Sequence, residues 1–285
     1  MKVLLLGDQG NLGSQFKLLL SNEPGISLFG LDKNDLDVLQ FTKLEKYLNE
    51  VKPEIIINTI AYNAVDKCEE ESGFVIAKKI NGELVGVLAN WALVNQAILV
   101  HYSTDYVFSG DQLSGYDEAQ KPNPINNYGR SKLMGEEAVL KCIGLKYYLI
   151  RTSKLFGPVG SSPTAKPSFF DIMLNLATDA QEIKAVDSEL SCFTYTPDLA
   201  QASWGLVKTG QPSGIYHLVN SNPVTWYQAA QSLFAIKNLS VNCRAISAND
   251  MPRPAQRPPY SVLLNTKTKA LRNYEVALAE YLLIK

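Results

Sequence analysis

Val3–Gly13 reads VLLLGDQGNLG, an apolar run too short for a helix that breaks at once into a glycine-spaced turn. Beyond Gly13, the apolar residues Phe16, Leu18, Leu19 and Leu20 suit a helix packed on a sheet, completing strand, glycine turn and helix. Glycine at positions 7, 10 and 13, around Asn11 and Leu12, allows a tight turn and brings backbone N–H groups toward a pyrophosphate at the positive end of the helix. A generic loop has similar composition, so the glycines alone leave both readings open.

The next segments extend the pattern. Ile26–Leu31 is a second apolar run that ends at Asp32, about twenty residues past the glycines, where a carboxylate can accept hydrogen bonds from an adenosine ribose. Lys33 follows and suits either a ribose 2′-phosphate or plain solvent, which leaves NADH and NADPH both open. A helix over about Phe41–Val51 stops at Lys52-Pro53, and Ile55–Ile57 supplies a third buried strand. Residues 61–69, AYNAVDKCE, then lie beyond that strand on the cofactor side of the sheet. A long apolar helix is expected to begin at Asn81, followed by the strand Ile98–Val100 leading to Thr104.

That strand delivers Tyr102, Ser103, Thr104 and Asp105 to the sheet edge where α/β proteins bind ligands. Downstream, Tyr128 and Lys132 stand four residues apart, so a helix there puts phenol and ammonium on one face, with the cation favouring ionisation of the phenol. An ordinary exposed helical pair has the same spacing; the glycine turn and Thr104 upstream favour acid–base equipment.

Composition narrows the partners. The 285 residues are 46% hydrophobic and 19% charged, with a net charge of -1, which points to a small molecule rather than nucleic acid or an anionic membrane surface. The four scattered cysteines and two histidines lack the spacing of a metal site, and the chain starts on a strand without a basic leader or membrane-length apolar run. A reduced, cytoplasmic setting without a metal is expected, and a homodimer is left open.

The strand Lys146–Ile150, ending in Arg151-Thr152-Ser153, closes the regular alternation. Expected thereafter are a flexible or ligand-closed loop over residues 157–167, a helix over Phe169–Ala177, a strand over Ile215–Val219 and a helix over Trp226–Ile236 capped by Thr225. Arg253 and Arg257, in a proline-stiffened segment, suit a diphosphate or a surface crossing. The fold class is thus α/β: a Rossmann-type doubly wound parallel sheet with a smaller C-terminal α+β part. Residues 1–152, with segments returning from the second half, form the dinucleotide-binding domain, and 153–285 are mainly substrate-binding.

The glycine turn, Asp32, Thr104 and Tyr-x-x-x-Lys in this order resemble the extended short-chain dehydrogenases/reductases. AVDKCE, HYSTDYVFSG, NNYGRSKLMGE, GIYHLVN and RPPYSVLLNTK more closely resemble the dTDP-4-dehydrorhamnose reductase family over nearly the whole chain. The resemblance implies hydride transfer from NADPH or NADH to the C4 ketone of a nucleotide-linked 4-keto-6-deoxy sugar, dTDP-4-dehydro-L-rhamnose being the leading substrate. It implies Tyr128 as general acid, Thr104 as a second donor to the ketone oxygen, and Lys132 as the ribose-binding, phenol-tuning cation. It also implies cofactor contacts at Gly10, Asn11, Leu12, Asp32, Asp37, Val38, Ala61, Tyr62 and Tyr102, and substrate contacts at Asn63, Val65, Thr104, Asp105 and Lys154, with Arg257 in the nucleotide-contacting segment.

Two positions depart from the family pattern: Asn63 stands where Thr is common, and Lys154 where a Trp usually follows the Arg-Thr-Ser segment. An aromatic stack is exchanged for a point charge that prefers water or an anion. Two other readings therefore stand beside the leading one: a reductase of a different nucleotide-linked keto sugar, and a non-catalytic, cofactor-binding regulatory subunit.

Overall fold

The computed structural model describes residues 1–163, 165–179 and 182–285. Strands β1 (Lys2–Leu6), β2 (Ser27–Leu31), β3 (Ile55–Asn58), β4 (Ile98–Thr104), β5 (Lys146–Thr152) and β6 (Gly214–His217) form one sheet in the order β6-β5-β4-β3-β1-β2. Every neighbouring pair is parallel. The order reverses between β1 and β3, so a crevice opens at their C-terminal ends, where the glycine turn begins.

Alternation along β1 explains the layers. Val3 and Leu5 face a core containing Phe16, Leu199 and Trp204, and Leu4 and Leu6 face another containing Leu44, Leu88 and Ala92. Helices α1 (Asn11–Ser21) and α7 (Thr196–Lys208) cover the first face; α2 (Phe41–Val51), α4 (Leu84–Val94) and α5 (Asn127–Lys141) cover the second. The alternation of short apolar strands with helices thus produces a sheet dry on both sides.

Local signals end the helices where physics demands. α2 stops at Lys52, which adopts φ 51° while its N–H donates to the Leu48 carbonyl, with Pro53 next. α8 (Trp226–Ile236) starts on a reciprocal box: Thr225 accepts from the Gln228 N–H, and Gln228 from the Thr225 N–H. The expected helix start at Asn81 is corrected. Helical structure already begins with α3 (Glu71–Lys78) and passes through a wide π turn, Lys79–Glu83, into α4. Asn81 is no cap but a buried residue inside the run, fully occupied by partners across the cleft.

The second half contributes both to the sheet and to a separate core. β6 pairs with β5, and α7 packs on α1, so the chain returns to the first layer after leaving it. α6 (Phe169–Asp179), α8 and α9 (Tyr274–Leu283) surround Phe156, Phe170, Phe193, Leu233 and Tyr281, beside a parallel pair formed by Ile183–Val186 and Cys243–Ile246. Among the described residues no helix is long and apolar enough to cross a membrane, and no group of side chains could hold a metal ion.

Candidate active site

The glycine turn is held shut by its own backbone. Gly7 has φ +80°, and its N–H donates to the Leu31 carbonyl at 2.7 Å. A Cβ on Gly13 would lie 1.9 Å from the Gly7 carbonyl oxygen, so α1 can approach the turn only because residue 13 lacks a side chain. Gly10 precedes α1 without a side-chain cap, leaving this end of the helix to backbone N–H groups, as an anion site requires. Leu12 is buried in the core beneath.

On the adenosine side, Asp32 is buried beyond β2, and its carboxylate accepts from the Lys33 N–H at 2.5 Å. Asp37 accepts from the Leu39 N–H at 3.1 Å, and half-buried Val38 packs against the second core layer. The loop expected to be flexible or ligand-closed lies against this turn. Asn11 accepts from the Gly160 N–H at 3.0 Å and donates to the Lys166 carbonyl at 2.8 Å, while the Ser162 N–H donates to the Gln9 carbonyl at 2.9 Å. Lys166 also donates to Asn63 Oδ1 at 3.2 Å. Thr164, within this loop, lies outside the described residues.

The chemical centre is built by β4 and α5. Asn126 starts α5 by accepting from the Gly129 N–H at 2.7 Å, and Gly129 sits so close to the chain ahead that a Cβ would lie 2.1 Å from the Tyr106 carbonyl oxygen. This contact seats the first turn of α5, and with it Tyr128, beside Thr104. The Thr104 hydroxyl and the Asp105 charge both act on the Tyr128 phenol, while the hydroxyl itself donates to Asp105 at 3.1 Å and accepts from the Tyr106 N–H at 3.2 Å. Burial raises the pKa of the phenol above its ordinary value, partly opposed by the nearby Thr104 hydroxyl.

Here the expectation that Lys132 would ionise the phenol is corrected. Lys132 Nζ donates instead to the Tyr102 carbonyl at 2.6 Å, and desolvation of the phenol outweighs any help from a cation. Burial lowers Lys132 itself to about 8, with Glu136 opposing. Glu136 is committed elsewhere: it accepts from Arg151 at 2.7 Å and from Ser103 at 2.5 Å. The Tyr102 ring points into the core against Phe16, so only its carbonyl faces the cleft.

Position 61 is exposed and Tyr62 half-buried, its backbone held on both sides by Asn81: the Tyr62 N–H donates to Asn81 at 2.9 Å, and Asn81 donates to the Tyr62 carbonyl at 3.0 Å. Asn81 also donates to Ser131 at 2.9 Å. Val65 begins the short turn 66–69, where the Cys68 N–H donates back to its carbonyl at 3.2 Å.

Across the cleft, the two arginines of the proline-rich segment are engaged by carboxylates of the chain, which corrects the picture of groups waiting for a diphosphate. Arg257 makes a forked pair with Asp66, at 2.5 and 2.8 Å, and Arg253 pairs with Glu189. The Asp66 carboxyl is thereby held below the usual carboxylate range. Asp105 accepts from Ser261 at 2.6 Å and from Thr104 at 3.1 Å, with burial pushing its pKa up against those bonds.

Lys154 lies two residues beyond Thr152, which pairs with Thr104 across β4 and β5. The expectation that its charge replaces aromatic stacking is half corrected: its Nζ stands 3.7 Å over the Trp226 ring and 5.0 Å over Phe193, so an indole is present, supplied by α8. Burial lowers Lys154 to about 7, opposed by Asp105 and Glu189.

Sequence reading missed Asn81, Glu189, Trp226 and Ser261. The Thr225-x-x-Gln228 box places Trp226 at a helix start, but nothing local says which side chain it will meet. His101 and His217 are core residues, as expected. His101 Nδ1 hydrogen-bonds the Asn58 amide at 3.2 Å, and burial with the Arg151 charge lowers His217 to about 4.

A doubly wound sheet with a glycine turn at its switch point, and a Thr, Tyr and Lys converging beside it, defines a nicotinamide-dependent oxidoreductase of the short-chain dehydrogenase/reductase type. Within that class the chain belongs to the dTDP-4-dehydrorhamnose reductase family: residues 1–283 match the family described as RmlD substrate binding domain. It is 32% identical to the dTDP-4-dehydrorhamnose reductase of Streptomyces griseus, covering 97% of this chain and 91% of that one. It is also 32% identical to the spore coat polysaccharide biosynthesis protein SpsK of Bacillus subtilis, over 99% of this chain and 96% of the relative. The dTDP-4-dehydrorhamnose reductase of Bacillus anthracis, solved in complex with NADP, superposes with a TM-score of 0.92 at 31% identity, over 100% of this chain and 99% of that one.

Proposed function

We propose that this protein reduces the C4 ketone of dTDP-4-dehydro-L-rhamnose to the alcohol with NADPH or NADH. The observation that carries the reading is the seating of Tyr128 on the first turn of α5 against the chain that follows Thr104, its phenol kept neutral by burial, in a chain whose relatives are named as reductases of that compound. The glycine turn, Asp32, Asp37, Val38, Ala61, Tyr62 and the Tyr102 carbonyl hold the dinucleotide. Residues 1–152 with α7 and β6 form its binding domain, and the rest shapes the sugar-nucleotide side.

A dinucleotide held at the glycine turn would supply hydride to the carbonyl carbon, and the residues beside it must meet the negative charge that develops on the ketone oxygen. Thr104, turning its single O–H from Asp105 to that oxygen, and Tyr128 meet the charge with hydrogen bonds, and Tyr128 Oη gives up its proton to form the hydroxyl. Burial suits this direction of reaction, because a phenol with a raised pKa keeps its proton until the oxyanion develops. Lys132, anchored on the Tyr102 carbonyl, positions the nicotinamide ribose. Asn63, Val65, Asp105, Lys154 and Arg257 line the sugar-nucleotide side. Arg257 reaches a phosphate only by sharing or leaving Asp66.

Oxidation of NADPH and NADH by purified protein with fresh dTDP-4-dehydro-L-rhamnose tests the proposal. Turnover is expected, and Tyr128→Phe is expected to lower kcat by about 100- to 10,000-fold with cofactor affinity within about twofold. Absence of sugar-dependent oxidation in the wild type overturns it.

A further inference from the structure

Lys154 is an expensive residue to keep where it stands. Its Nζ is buried without a hydrogen-bond partner among the described residues, although an ammonium out of water ordinarily demands one. Its backbone adopts φ 38°, a left-handed conformation that costs a non-glycine residue stability and recurs at functional positions. The strand pairing that follows pins it there, with the Thr194 N–H donating to the Lys154 carbonyl at 3.1 Å.

The neighbours explain why the chain itself does not satisfy this group. Asp105 and Glu189 are close enough to act on Lys154 electrostatically, yet both are engaged. Asp105 takes bonds from Ser261 and Thr104, and Glu189 takes bonds from Arg253 and, at 3.0 Å, from Trp226 Nε1. Cys192 faces the same group, and burial holds its thiol up to about 12, hence neutral. The Trp226 and Phe193 rings support the ammonium from below but offer no lone pair. Its donors are left for a ligand that reaches between Thr104–Asp105 and α8.

The local charges limit what that ligand group is. Arg253 and Lys154, whose charge burial weakens, stand against two carboxylates, Asp105 and Glu189, so no surplus positive charge remains for an anionic substituent. An amino substituent fares worse: it would meet a like charge and find the carboxylate oxygens already occupied. An uncharged oxygen acceptor fits. Because Lys154 lies two residues beyond Thr152, the partner of Thr104, and acts on Asp105, the residue that follows Thr104, an acceptor it reaches belongs on the ring near the carbon being reduced.

We propose that Lys154 selects the sugar, hydrogen-bonding a neutral ring hydroxyl adjacent to the reduced carbon and discriminating against amino- and carboxyl-substituted rings. This rests on the reductase reading above and names the substrate class of the same site.

The test compares wild type, Lys154→Met and Lys154→Gln on dTDP-4-dehydro-L-rhamnose and on its analogue lacking the 3-hydroxyl, with calorimetric binding of dTDP-L-rhamnose in the presence of NADP measured alongside. Expected are a KM for the hydroxylated sugar raised about tenfold or more in Lys154→Met with kcat little changed, and loss of the wild-type preference over the 3-deoxy analogue. The thermal midpoint should not fall, because an unpaired buried charge is removed. A folded variant with wild-type KM, binding and preference overturns the inference, as does a lowered midpoint with no loss of sugar affinity. Should Lys154→Met fail to fold, Lys154→Gln, which keeps a donor but shortens its reach, decides by the same measures. A wild type that binds dTDP-L-rhamnose tenfold more tightly than Lys154→Met yet reduces neither sugar upholds the Lys154 site and defeats the reductase reading.

Discussion

At the scale of single residues, burial decides protonation here more than neighbouring charge does. Tyr128 stays protonated because desolvation outweighs its surroundings, whereas the same burial loosens the proton on Lys132, whose pKa falls to about 8. The ammonium of Lys132 is therefore present below pH 8 and is lost as pH rises through that value. If the charged form holds the nicotinamide ribose, NADPH affinity should weaken about tenfold between pH 7 and pH 9, following the protonated fraction. Fluorescence titration of NADPH at several pH values checks this, and Lys132→Met should bind more weakly with a flat profile. A wild-type profile equally flat would refute the assignment.

At the scale of elements, the position of Tyr128 depends on how closely the first turn of α5 approaches the chain after β4. Gly129 permits that approach, since a Cβ would lie 2.1 Å from the Tyr106 carbonyl oxygen and 2.9 Å from Pro124 Cβ. Gly129→Ala should push the turn outward by a fraction of an ångström to an ångström, lowering kcat by tenfold or more while the circular dichroism of the helices is retained. It should also cost about 1–3 kcal/mol of stability from overpacking, read from the denaturant midpoint. Wild-type kcat in the variant would show that the close approach does not set the phenol. The α5 position was legible from the Tyr-x-x-x-Lys spacing, but the reach of Asn81 from the π turn to Ser131 was not, because a local widening of a helix has no periodic signature.

At the scale of the whole molecule, the two halves are clasped at both ends of the cleft: Asn11 holds Gly160 and Lys166, and Asp66 holds Arg257. Both ties join segments more than a hundred residues apart. Asp66→Ala should free the proline-rich segment, and hydrogen exchange over residues 255–261 should accelerate about tenfold or more. In the wild type, the lowered pKa of Asp66 means that the clasp is complete above the ordinary carboxylate range and opens as pH falls through the lowered value. Unchanged exchange in Asp66→Ala would show that the segment is held by other contacts.

The sequence by itself determined the parallel sheet and its glycine turn, and it marked Thr104, Tyr128 and Lys132 as a set. Those features are local: apolar period, glycine spacing and helical pitch operate within a few residues of one another. Only the tertiary structure decided that Lys132 turns to the Tyr102 carbonyl, that Arg253 and Arg257 are already paired, and that Trp226 lies beneath Lys154. Each of these joins side chains from separate segments, and protonation there follows from how much water the assembled cleft excludes, a quantity that no stretch of sequence carries.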